Sequence, residues 1–302
     1  MWVRVLGAAA GGGFPQWNCN CTNCRRLRLG TLRGRARTQA QVAISADRRV
    51  WHLLNASPDL RQQIEATPCL HPQEGVRHSP IASVILTCAE VDQVLGLLLL
   101  REMQPFTAFA TDSVREILLG DNSIFQVLHR IPEQVRWHSL VPRNECEIAA
   151  GLRVEPIALG GAYPGFVGAG RVARLRPDEA VLGLVLTCGG RSMIYLPGVA
   201  AIGDALLERM EESDLVLLDG TFWSDDELIR VRQGARTARQ MGHLPISGAG
   251  GSLERLATLR RPRKVYIHIN NTNPILDEDS PEYRAVREAG WEVACDGMTM
   301  EL

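Results

Sequence analysis

Short apolar runs rich in β-branched residues punctuate the chain, bounded by glycine, proline or charged positions, which is the pattern of buried strands. Strands are predicted over residues 2–6, 41–45, 50–54, 81–86, 107–110, 152–159, 181–186, 192–196, 215–218 and 265–269. Two pairs read as hairpins: 41–45 with 50–54, and 181–186 with 192–196 across Gly189-Gly190. An apolar run of helical length covers 94–100, helices are expected at 113–119 and 124–128, and 203–211 is amphipathic. Ser57-Pro58-Asp59 reads as a helix start, with Ser57 as cap and Pro58 in the first helical position. Segments 67–80 and 160–170 read as loops, and the run of small residues 7–13 allows close approach of one backbone to another. Strand-rich halves with short connections predict an α/β protein, a layered sheet structure with helices outside. No boundary is visible, so residues 1–302 are expected to form one domain.

Composition adds exclusions. A net charge of −1 gives no long-range field to attract nucleic acid, although residues 25–37 are locally basic. No apolar run reaches the roughly 18 residues that span a bilayer, and the first residues lack a signal-peptide pattern. The expectation is a cytoplasmic enzyme with no membrane partner.

Three of the eight cysteines are packed into Cys19-Asn20-Cys21-Thr22-Asn23-Cys24. Clustered cysteines in a cytosolic chain point to metal rather than disulfides. Structural zinc takes four ligands in a closed site, so a fourth must arrive from elsewhere: Asn271, His268, Asp296 or a lone cysteine. Cys69, Cys146, Cys188 and Cys295 read as small core hydrophobes.

The other concentration of chemistry lies between the strand at 81–86 and the apolar run that follows, where Cys88, Glu90, Asp92 and Gln93 fall within six residues. Ligands gather at the carboxyl ends of strands covered by helices. Asp219 and His268 also stand at or just beyond predicted strand ends. Carboxylates with an imidazole suit iron(II), manganese or magnesium. The plainer reading of Asp92 is a helix cap, and those of His71, His78 and Arg101 are solvated side chains.

The blocks GAAAGGGFPQWNCNCTNC, NASPDLRQQI, AEVDQ-x-LGLLLLRE, LLDGTFW, MGHLPISG-x-GGS and HINNTNPIL resemble the coenzyme PQQ synthesis protein B family, within the metallo-β-lactamase superfamily. The resemblance implies an αββα sandwich of two mixed β-sheets flanked by helices. It places the superfamily's H-x-H-x-D-H motif on Cys88, Glu90, Asp92 and Gln93, its later metal-bridging Asp on Asp219 and its last metal-binding His on His268. His243 falls where relatives carry a proton-moving histidine, and Cys19, Cys21 and Cys24 fall on the structural zinc motif. This chain shares the family's loss of the first two histidines, and departs from it in having Gln93 where a histidine is usual.

The function implied is pyrroloquinoline quinone (PQQ) biosynthesis: iron-dependent oxygenation of the tyrosine-derived ring of a small Glu–Tyr crosslinked precursor. Glu90, Asp92, Gln93 and His268 would form the active-site iron(II) set, with Asp219 and His243 as catalytic groups and zinc on the three cysteines. A metal-dependent hydrolase and a non-catalytic carrier of PQQ or a late intermediate are the alternatives. Oligomeric state is open, with a homodimer allowed.

Overall fold

The computed structural model describes residues 1–231 and 235–302. The chain, which shows no linker in its sequence, divides into two compact units: Met1–Leu6, Gln41–Gly190 and Gly297–Leu302 in the first, Gly7–Ala40 and Arg191–Asp296 in the second.

The first unit is built on strands β1 (Trp2–Gly7), β2 (Gln41–Ser45), β3 (Trp51–Leu54), β4 (Ile81–Ile85), β5 (Phe106–Ala110) and β6 (Val135–Ser139). They are neighbours in that order. The predicted hairpin pairs β2 antiparallel to β3, whereas β3 to β6 run parallel. Parallel neighbours need long crossovers. Their carboxyl ends therefore open on one edge, which places Asn55 after β3 beside the segment that follows β4, in the register Leu54↔Ile85. Leu53, Val84, Leu86, Leu97, Ala108 and Ile117 belong to the core beneath. Outside this first sheet, β7 (Cys146–Ala149), β8 (Leu152–Ala158) and β9 (Leu182–Cys188) form an antiparallel meander.

The second unit carries four parallel strands, β10 (Arg191–Leu196), β11 (Leu215–Asp219), β12 (Arg263–Ile267) and β13 (Trp291–Val293). Leu215 to Leu218 are fully buried, which is why this strand reads as an unbroken apolar run. The small-residue segment after β1 does bring backbones together. Ala8 and Ala9 are fully buried, and the main chain exchanges hydrogen bonds with Ile269, Ala10 N–H to its carbonyl and its N–H to Ala8, both at 2.9 Å. The last strand, β14 (Thr299–Glu301), returns to the first unit antiparallel to β1.

Three local expectations change. The helix expected from Ser57 begins at Leu60, because the Ser57 hydroxyl accepts the Asp59 N–H at 3.0 Å and its own N–H is held by Gln41 Oε1 at 2.6 Å. The apolar run 94–100 is a series of 3-10 turns after a short helix, Val91–Val94. Here the Gln93 carbonyl accepts from Ala56 and the Gly96 N–H donates to Ala56, so these groups leave the helical i to i−4 ladder. Residues 124–128 likewise lie in 3-10 turns, Ser123–His129. Among the described residues no helix is long and apolar enough to cross a membrane.

Candidate metal centre and thiol cluster

Asp219 closes β11 and is buried. Four donors meet its two oxygens. Oδ2 accepts the Val199 amide at 3.1 Å and His243 Nδ1 at 2.7 Å. Oδ1 accepts the Thr221 amide at 3.0 Å and the Thr221 hydroxyl at 2.5 Å. A carboxylate has about four lone-pair positions, so protein donors saturate Asp219 and it serves as the hub that orients its neighbours. Gly220 permits the turn, since a Cβ there would stand 2.9 Å from Tyr266 Cβ. Burial works against the Asp219 carboxylate, but the charge and hydrogen bond of His243, then His268 and Thr221, outweigh it and hold the carboxyl below its usual range.

A carboxylate only accepts, so His243 carries its proton on Nδ1 and its lone pair on Nε2. The same logic passes through Thr221. Its hydroxyl also lies 2.9 Å from the His268 carbonyl, but the Asp219 carboxylate is nearer and charged and takes the proton, so the hydroxyl accepts from His268 Nδ1 at 2.9 Å and the His268 lone pair is left on Nε2 as well. The two imidazoles stack 5.7 Å apart with 20° between their planes, and Phe222 packs edge-on against His243. His268 lies just past β12 at a φ of 58°, a left-handed conformation uncommon outside glycine and often found at functional sites. Potential ligand atoms of Asp219, His243 and His268 all lie within 4.8 Å of one another.

The three clustered thiols also converge, each within 4.8 Å of the others. The fourth partner is Asn271, whose Nδ2 points at Cys19, Cys24 and Cys21 Sγ at 3.1, 3.3 and 3.5 Å. Asp296 and His268 are committed elsewhere. Asp296 accepts from Ala8 and Thr38, and the His268 ring is bonded to Thr221. A half-turn of the Asn271 amide exchanges Nδ2 for Oδ1 and offers an oxygen donor, completing a four-ligand set that fits zinc. Burial pushes the Cys21 thiol up to about 12; Cys19 is lowered despite its burial by hydrogen bonds from Cys21, Cys24 and Asn271.

Both groups hang on the loop after β12. The Asn271 carbonyl accepts from Asn23, Thr272 donates to Glu227 at 2.5 Å, and buried Asn273 donates to the Gly220 carbonyl at 2.9 Å. Thus His268 and Asn271, three residues apart, are held by one set of anchors.

In the first unit, Glu90 is exposed at the N-cap of the helix Val91–Val94, Asp92 is half-buried in its first turn and Gln93 is buried. Gln93 Oε1 accepts from Asn55 Nδ2 at 2.5 Å, and its Nε2 donates to Asp92 Oδ2 at 2.9 Å. Burial raises the Cys88 thiol to about 12, so it stays protonated at neutral pH. Arg101 is an exposed side chain paired with Glu102. Residue-type reasoning missed Thr221 and Asn55. Thr221 sits two residues after Asp219, an Asp-x-Thr spacing that places a hydroxyl on the same turn, whereas nothing local marks Asn55.

This fold and site define the class. Residues 50–269 match the β-lactamase superfamily domain, a metallo-β-lactamase fold of two mixed β-sheets flanked by helices. Within that class, the chain belongs to the coenzyme PQQ synthesis protein B family. It is 48% identical to coenzyme PQQ synthesis protein B of Gluconobacter oxydans, the alignment covering 99% of this chain and 98% of that one. The crystal structure of a zinc-bound PqqB from Methylobacterium extorquens superposes with a TM-score of 0.93 at 43% identity, covering 100% of both chains. A diphosphatase of the PhnP family shares the fold, with a TM-score of 0.67 at 20% identity over 100% of this chain and 97% of that one.

Proposed function

We propose that the protein acts in PQQ synthesis as an iron-dependent oxygenase that hydroxylates the tyrosine-derived ring of a small Glu–Tyr crosslinked precursor. The observation that carries this reading is the pair of imidazoles, His243 and His268, whose Nδ1 protons are both directed by Asp219, one through Thr221. Imidazole and carboxylate donors suit iron(II). His268 would hold the metal through Nε2, and the family motif extends the ligand assignment to Glu90 and Asp92. Iron(II), when bound, supplies the one-electron chemistry that lets molecular oxygen react with an aromatic ring.

The protein's own contribution is proton handling. His243 accepts the phenolic proton at Nε2, and buried Asp219 stabilises the resulting imidazolium through Nδ1. Overall, a ring C–H becomes C–OH, one oxygen atom of O2 enters the ring and the other leaves as water, with two electrons and two protons from an added reductant. The Cys19, Cys21, Cys24 and Asn271 set would hold zinc in a closed, structural site, in keeping with the zinc-bound relative.

The test is metal analysis of protein purified without oxygen, then incubation with iron(II), ascorbate, O2 and a Glu–Tyr crosslinked diamino acid. One zinc, one further iron and a product heavier by one oxygen atom are expected. Zinc alone, with no iron uptake and no ring hydroxylation, sinks the oxygenase. Lactonase or phosphodiesterase turnover with two bound zincs would establish a hydrolase instead.

A further inference from the structure

The position after Asp92 is glutamine, and the hydrogen bonds around it settle which end of its amide faces the carboxylate. The first link is a backbone group, which cannot be flipped. The Thr87 backbone N–H points at Asn55 at 2.8 Å, and a backbone N–H only donates, so the Asn55 atom it meets is the oxygen, Oδ1. The Thr87 hydroxyl meets the same oxygen at 3.0 Å. The other end of Asn55 is therefore its NH2 group, which faces Gln93 at 2.5 Å. A donor there requires an acceptor, so Gln93 presents Oε1 to Asn55 and turns Nε2 to Asp92 Oδ2, 2.9 Å away. Each orientation is forced by the one before it.

The assembly is rigid and buried. Asn55, Thr87 and Gln93 are each at most 3% exposed. Asn55 sits directly after β3 at a φ of 66°, a conformation asparagine tolerates better than most residues, and its carbonyl is held by Gln41 Nε2 at 2.6 Å. The Gln93 main chain is also tied, its carbonyl accepting from Ala56 at 2.7 Å. Turning the Gln93 amide over would set NH2 against NH2 at Asn55 and oxygen against carboxylate at Asp92, leaving buried polar groups in conflict.

We infer that Gln93 is a positioning residue for Asp92 and not a metal ligand. Its side-chain oxygen is turned to Asn55 and away from Asp92, and the atom it offers to Asp92 is an N–H donor that no cation can use. Gln93 thereby holds the Asp92 carboxylate at Oδ2, and the relay Thr87–Asn55–Gln93 does the work that an outer partner does for a ligating carboxylate. What Asp92 then does toward a metal rests on the metal reading proposed above, whereas the orientation of Gln93 does not.

Two measurements test this. In metal-free protein, the side-chain amide NMR signals of Gln93 and Asn55 are expected to be protected from solvent exchange, and the Gln93 signal to shift in an Asp92→Asn variant. A Gln93 amide that exchanges like a solvated one, or ignores Asp92→Asn, overturns the proposal. Mn(II) affinity, followed by the EPR signal of the free ion, is then compared in the wild type, Asp92→Asn and Gln93→Glu. Gln93→Glu keeps an oxygen for Asn55 and sets a second carboxylate oxygen against Asp92. A positioning role predicts binding weakened about tenfold or more, and a ligand role predicts binding strengthened by the new anionic donor. Strengthened binding therefore overturns the proposal. Unchanged Mn(II) affinity in Asp92→Asn would remove Asp92 from the metal site, and the NMR result alone would then decide the role of Gln93.

Discussion

The Thr221 hydroxyl accepts the Nδ1–H of His268 at 2.9 Å while giving its own proton to Asp219. One small side chain thus sets the tautomer of an imidazole that reaches the site from a different strand. Thr221→Val keeps the shape and deletes the hydroxyl. Metal affinity at the His268 site is expected to fall about 10- to 100-fold, with zinc on the cysteines retained. Equal affinity of variant and wild type in a metal titration would show that Thr221 does not orient His268.

The thiol cluster is expected to stabilise the loop that carries His268, since Asn271 meets all three sulfurs and Asn23 holds the Asn271 carbonyl. Cys21→Ser should lose its equivalent of zinc and melt lower by at least several degrees, as structural zinc contributes folding energy outright. Zinc by elemental analysis, read beside the thermal transition, checks both. A variant that melts with the wild type would make the cluster dispensable for stability.

Burial pushes the Glu227 carboxyl from 4.5 up to about 7, against the donors Thr272 and Trp223. The folded state therefore binds this proton more tightly than the unfolded chain. Stability should decline as pH rises from about 4.5 through about 7, the full effect being of order 3 kcal/mol. Glu227→Gln stays neutral and should lack that decline, gaining on the wild type between pH 5 and pH 8 in urea unfolding. Parallel stability curves would refute this assignment.

Gly96 packs so closely that a Cβ would lie 2.3 Å from the Ser57 carbonyl oxygen and 2.8 Å from the Ala56 carbonyl carbon. Both neighbours are backbone and cannot rotate aside. Gly96→Ala is expected to cost about 3 kcal/mol and to disturb the nearby Ala56–Gln93 pairing. The urea midpoint measures the first, and the Gln93 amide signal the second. A change below about 0.5 kcal/mol would mean the contact relaxes easily.

A single local pattern led to opposite results at two serines. Ser57-Pro58-Asp59 and Ser280-Pro281-Glu282 carry the same helix-start signal. Ser280 does cap its helix, Pro281–Glu288, accepting the Tyr283 N–H at 2.9 Å. Ser57 does not cap, because its main chain is engaged by Gln41 from a neighbouring strand. The helix Pro281–Glu288 is thus legible from its Ser-Pro-Glu start.

By itself the sequence determined the positions of most strands, the thiol cluster as a metal-type group, and Asp219 and His268 as residues at strand ends. These are local signals: a parallel strand buried on both faces must be apolar along its length, and ligand-bearing residues fall where that run stops. Tertiary structure alone decided which polar atoms meet. Asn271 closes on Cys19 across 252 residues of chain, and Gln93 faces Asn55 because β3 and β4 are parallel neighbours with Leu54 opposite Ile85. Strand order and register are set by the packing of the whole sheet, whereas a hydrogen bond depends on tenths of an ångström between residues far apart in sequence. For that reason Gln93 reads as a member of the metal set in the sequence, while in the structure its amide donates to Asp92.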